Sequence, residues 1–80
     1  MSKLEKLIQK ILSGKNVSYD DAEKLLEHLG FTRKISASHH IFRKQKYHRT
    51  ISIKKRSELL KYQVDALQEV LEDHGYKKRD

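Results

Sequence analysis

FTRKISASHHIFRKQKYHRTISIKKR, residues 31–56, is the stretch on which the reading of this chain turns. Three runs within it, FTRKIS, SHHIFRK and RTISI, have the β-branched and aromatic content of strands and are separated by short polar connections. The stretch holds nine of the chain's 18 Lys and Arg and none of its 11 Asp and Glu. The other nine cations set against eleven acids leave the rest of the chain at −2, so this one stretch makes the protein basic at +7. A histidine pair, His39-His40, lies near its middle.

Side chains alternate across a strand, so parity assigns the faces. Phe31, Arg33 and Ile35 share one face of the first run, and Phe31 and Ile35 are expected to point inward. SAS, residues 36–38, makes a tight connection. In the second run Ile41 and Phe42 have opposite parity, so one of them must face away from the core. The larger Phe42 is taken as inner. His40 is then inner too, whereas His39, Ile41 and Arg43 are outer. QKYH reads as a turn, although it lacks the Gly or Asn that a two-residue hairpin loop prefers. Ile51 and Ile53 face inward on the third run.

Helices flank this sheet. Leu4, Leu7, Ile8, Ile11 and Leu12 fall at i, i+3, i+4, i+7 and i+8, one face of an amphipathic helix with Ser2 as cap and Gly14 as terminator. Ser18 caps a second helix, with Asp20 and Asp21 in its positive first turn and Val17 and Ala22 as a hydrophobic staple. Ala22, Leu25, Leu26 and Leu29 form its apolar stripe, and Gly30 stops it. Val64, Leu67, Val70 and Leu71 are the buried stripe of a last helix over about residues 61–74, ended by Gly75. The fold class is therefore α+β: a small three-stranded antiparallel sheet packed on helices, in the order helix, helix, strand, strand, strand, helix. With so few helices, one sheet face packs on them and the other meets solvent or a ligand.

Eighty residues fit one domain. The absence of cysteine removes disulfide frameworks and thiolate metal sites. No apolar run approaches the roughly 18 residues of a membrane span, and MSKLEKLIQKIL is charged throughout, unlike a secretory signal. A cytoplasmic protein without a membrane partner is expected. His39 and His40 point to opposite faces and no carboxylate lies near them in sequence, so no metal site and no cofactor are expected.

Gly30-Phe31 and Ser38-His39-His40-Ile41-Phe42, with Leu59-Leu60-Lys61-Tyr62-Gln63-Val64 at the start of the last helix, resemble the HicA family of small toxins. These are the toxic halves of bacterial toxin–antitoxin pairs. The likeness covers residues 18–76 as a core. Residues 1–17 are an added N-terminal helix, and residues 77–80 a charged tail. It implies a fold similar to a double-stranded-RNA-binding domain, a ribonuclease activity on mRNA, and inhibition by a HicB-like antitoxin. His39 matches the family's histidine. Ala37 stands where the family usually has Gly, a departure that matters wherever the backbone needs positive φ.

The resulting expectation is the RNA-binding toxin of a type II system, a metal-independent endoribonuclease with His39 as general acid or base. Arg33, Lys34, Arg43, Lys44, Lys46, Arg49, Lys54, Lys55 and Arg56 are the candidate RNA contacts, because a cationic run without acids is an electrostatic footprint for phosphate. Tyr47 is a candidate for stacking on bases. The exposed Ile41 is the candidate contact for the protein partner. His40 is read as structural, held by a hydrogen bond such as one to a backbone carbonyl. The alternative is a non-catalytic RNA-binding or protein-interaction module of the same fold.

Overall fold

The computed structural model describes residues 2–55 and 58–78. Helices α1 (Lys3–Ser13) and α2 (Tyr19–His28) precede strands β1 (Thr32–Ser36), β2 (His39–Arg43) and β3 (Ile51–Lys54), and α3 (Lys61–Asp73) closes the chain. The α+β class and the element order are those the sequence predicts.

Local chemistry sets the boundaries. The Ser2 hydroxyl accepts from the Glu5 amide at 3.1 Å. Ser18 and Asp21 form a reciprocal capping box, both bonds at 3.1 Å. Beyond α2, Gly30 takes φ 95, a left-handed value that glycine adopts without a Cβ penalty. That reversal lets the Phe31 amide donate to the Leu26 carbonyl at 2.9 Å and drives the Phe31 ring into the core before β1 begins.

The sheet has the order β1-β2-β3, with both pairings antiparallel. Directly opposed residues lie on one face of a sheet. Arg33, Phe42 and Ile51 form one inner row, and Ile35, His40 and Ile53 the next. Phe42 is fully buried, and Ile51 and Ile53 are buried beside it, against Leu25 and Leu26 of α2 and Leu67 and Leu71 of α3. Burial of a side chain such as Phe42 stabilises by roughly 1.5–3 kcal/mol. Helix α1 joins the same core through Ile8 and Ile11. The Gln68 side-chain amide of α3 donates to the Ile11 and Leu12 carbonyls at 3.0 and 3.1 Å, satisfying the C-terminal end of α1.

One local reading changes, and two turns take the strained form that their residues foreshadow. Ile35 has the inner parity expected of it but is 56% exposed. It lies on an edge strand, at the hairpin end of β1, where no helix covers it. The SAS connection puts Ala37 at φ 54, in the left-handed region. In the β2–β3 connection Lys46 takes φ 66, the role a Gly or Asn ordinarily fills, and the Tyr47 amide closes the turn on the Lys44 carbonyl at 3.2 Å.

Candidate functional site

The helices cover one face of the sheet, so the chemistry that meets solvent is on the other. Its rows follow from the register: Thr32 beside Arg43, Lys34 beside Ile41 and Ser52, and Ser36 beside His39 and Lys54. This outer face carries Lys34, Arg43 and Lys54 and no carboxylate. His39 is exposed between Ser36 and Lys54. Ile41, expected to be exposed, is half-buried near the centre of this face, between neighbouring rows of longer side chains.

Two hollows lie on this face. One, of about 250 Å³, is lined by Thr32, Lys34, Ser36, Ile41 and Arg43. The other, of about 430 Å³, lies over the β3 edge and is lined by His39, Ser52, Lys54, Leu60, Tyr62 and Gln63. A larger hollow of about 540 Å³ lies by the C-terminal ends of α1 and α3, lined by Leu12, Gln68, Glu72, Tyr76 and their neighbours. It holds no histidine, and the outer face is therefore the better candidate despite its smaller hollows.

His40, one residue on, is in a different world. Its Nδ1 is 2.5 Å from the Tyr19 hydroxyl, and the two rings meet edge-on at 4.8 Å. The same hydroxyl donates to Glu23 Oε2 at 2.8 Å. A phenol has one proton, so His40 Nδ1 carries the hydrogen and Tyr19 accepts it. The partner is thus a buried tyrosine hydroxyl, and not the backbone carbonyl suggested above. Burial and the hydrogen bond to Glu23 push the Tyr19 phenol above its ordinary pKa. That hydrogen bond, reinforced by the Arg33 guanidinium and opposed by burial, holds the Glu23 carboxyl below the ordinary carboxylate value.

The nine cations of the basic stretch fall into separate groups. Lys34, Arg43 and Lys54 share the outer face with His39. Arg33 is on the inner row and is ion-paired with Glu23. The Lys55 ammonium is 6.0 Å from the centroid of the Tyr19 ring. The Lys44 ammonium donates to His74 Nε2 at 2.9 Å and lies 6.0 Å from the centre of the Phe31 ring. His74 in turn donates from Nδ1 to the Val70 carbonyl at 2.7 Å. Arg49 pairs with Glu69 at 2.8 Å and approaches Asp73 at 3.6 Å. Lys46 is exposed in its turn. Arg56 lies outside the described residues.

Tyr47 is half-buried, with its ring against Phe31 at 5.7 Å and His74 at 5.1 Å, and its hydroxyl donates to Asp73 at 2.7 Å. Burial, then Asp73, pushes its phenol up to about 12. It is a packing residue, not a free stacking platform. The exposed aromatic near His39 is Tyr62, which sequence reasoning quoted only as part of a motif. Parity within β2 located His39, but nothing local signals that α3 begins beside it.

Among the described residues no helix is long and apolar enough to cross a membrane, and no cluster of three or more His, Cys, Asp or Glu is disposed to hold a metal ion. These features define the class: a small α+β domain whose helices cover one sheet face and leave the other basic, uncovered and bearing a histidine. A family described as HicA toxin of bacterial toxin-antitoxin matches residues 19–76. The chain belongs to that family and is the toxin member of a toxin–antitoxin pair. Comparison with curated proteins and with solved structures gave no match.

Proposed function

We infer that this toxin is a metal-independent endoribonuclease that cuts mRNA on the outer face of its sheet. The observation that carries the reading is the position of His39: exposed on that face, with Lys54 opposite, Lys34 and Arg43 nearby, and no acid among them. Cleavage of RNA by its own 2′-hydroxyl needs a proton taken from that oxygen and one given to the departing 5′-oxygen. The products are a 2′,3′-cyclic phosphate and a free 5′-hydroxyl. A histidine exchanges protons near neutral pH and serves either step. Lys34, Arg43 and Lys54 supply positive charge where the phosphorane develops negative charge.

The order α2-β1-β2-β3-α3 supports a likeness to double-stranded-RNA-binding domains. Arg33, Lys44 and Arg49 are already engaged by Glu23, His74 and the Glu69–Asp73 pair, so the phosphate contacts fall mainly to the outer-face cations. The antitoxin, a HicB-like protein, blocks the enzyme by covering this face, with Ile41 as its apolar anchor. A second reading, a non-catalytic module that binds RNA or protein through the same face, draws support from Ala37, whose φ of 54 falls where the family usually has Gly. Incubating the purified protein with RNA in EDTA separates the two. Fragments ending in cyclic phosphate are expected; intact RNA bound to protein would favour the second.

A further inference from the structure

Tyr62 is 68% exposed at the start of α3. Among the described residues its side chain has no hydrogen bond and no ring partner. Leu60 beside it is 41% exposed. Both line the same 430 Å³ hollow as His39, Ser52 and Lys54, a volume within the range of small-ligand sites. The hollow combines three chemistries at one edge of the sheet: an apolar-aromatic wall, a cation and an imidazole. A nucleotide presents the matching set: a flat base with a π-face, a phosphate, and a ribose with transferable protons.

We propose that Tyr62, with Leu60 lining the same hollow, is a base-stacking shelf that seats one unpaired nucleobase of single-stranded RNA next to the phosphate facing His39 and Lys54. The proposal rests on the RNA-cleaving reading of His39 and adds a substrate class to it. A duplex keeps its bases stacked on each other and cannot offer a π-face to this shelf, so the site selects single-stranded RNA. Stacking reads no particular base edge, and the shelf therefore confers position without strong sequence preference.

The test uses the full chain and a short single-stranded RNA with 2′-O-methyl riboses, which lacks the attacking hydroxyl and stays intact. Tyr62→Ala should weaken binding about tenfold, the typical loss for one stacked base, and leave the salt dependence unchanged. Tyr62→Phe should bind like the parent. Lys54→Ala should instead make the log–log salt slope shallower by about 0.7, one phosphate contact. Because the chain has no tryptophan, Tyr62→Trp gives a single reporter whose emission the RNA should quench, and blunt-ended duplex RNA should not. If RNA binds but Tyr62→Ala retains parental affinity and the Tyr62→Trp emission is unmoved, the shelf is overturned while the role of His39 stands. If the parent binds no single-stranded RNA, both fail together. A salt slope changed by Tyr62→Ala would also overturn stacking as the cause.

Discussion

His39 and His40 are consecutive residues of one strand, and their surroundings are opposite. The His40 side chain meets a buried tyrosine hydroxyl, which donates in turn to a carboxylate that is ion-paired with an arginine. The His39 side chain meets solvent, with cations in the neighbouring rows of the outer face and no acid. The difference follows from strand alternation plus a one-sided covering of helices. On the helix side Tyr19 is buried and His40 half-buried, and their polar atoms are satisfied by one another and by Glu23, which pairs with Arg33 at the solvent edge. Among the described residues the His39, Lys34, Arg43 and Lys54 side chains on the open side have no such partner and are available to a ligand. The lesson is that a count of charges or histidines says little about function until each is assigned to a face.

The comparison can be broken most severely at His40. His40→Ala removes its hydrogen bond to Tyr19 and an aromatic edge contact, and should cost about 1–2 kcal/mol, roughly 5–15 °C in melting temperature. Any loss of activity should then track unfolding. A folded, fully stable and inactive His40→Ala protein would mean the assignment of faces is inverted.

Ala37, in the turn that leads to both histidines, is next. Its left-handed φ of 54 costs about 1–2 kcal/mol for a residue with a Cβ, partly offset by the entropy a glycine would lose. Ala37→Gly should therefore raise the melting temperature by a few degrees, as thermal denaturation would record. Unchanged or lower stability would mean the turn is not strained at this residue.

The last comparison is pH-dependent and lies at Tyr47, in the polar cluster at the other end of the sheet. Its phenol ionises at about 12 when folded against an ordinary value of 10.0, so the folded state holds the proton more tightly. The contribution is fully present below pH 10 and is lost as pH rises from about 10 through about 12. Urea midpoints across that window should fall less steeply for Tyr47→Phe than for the parent. Parallel slopes would show that folding, through burial and the Asp73 bond, does not raise the phenol.

Much of this fold could be read from local pattern. The three helical stripes, the caps at Ser2 and Ser18, and the reversal at Gly30 are signals contained within a few residues. Phe42, larger than Ile41, correctly gave the parity of β2 and so put His39 outside. What local pattern misses is non-local. Ile35 has core parity, but it is on an edge strand beyond the reach of the helices. Tyr19 reads as an ordinary first helical residue, yet its partner His40 is 21 positions away. The basic stretch looks uniform because the acids that engage it, Glu23, Glu69 and Asp73, come from α2 and α3. Tyr62 joins the site only because the chain after β3 returns α3 to the sheet edge.

The most direct measurement is RNA cleavage in EDTA by His39→Ala and His40→Ala side by side, with melting temperatures for both. His39→Ala should retain the parental melting temperature, since an exposed histidine adds little packing, and lose roughly 10²–10⁴-fold in rate. His40→Ala should melt earlier and cut RNA in proportion to the fraction still folded. A His39→Ala protein that cuts RNA at the parental rate would contradict the assignment of the chemistry to the outer face.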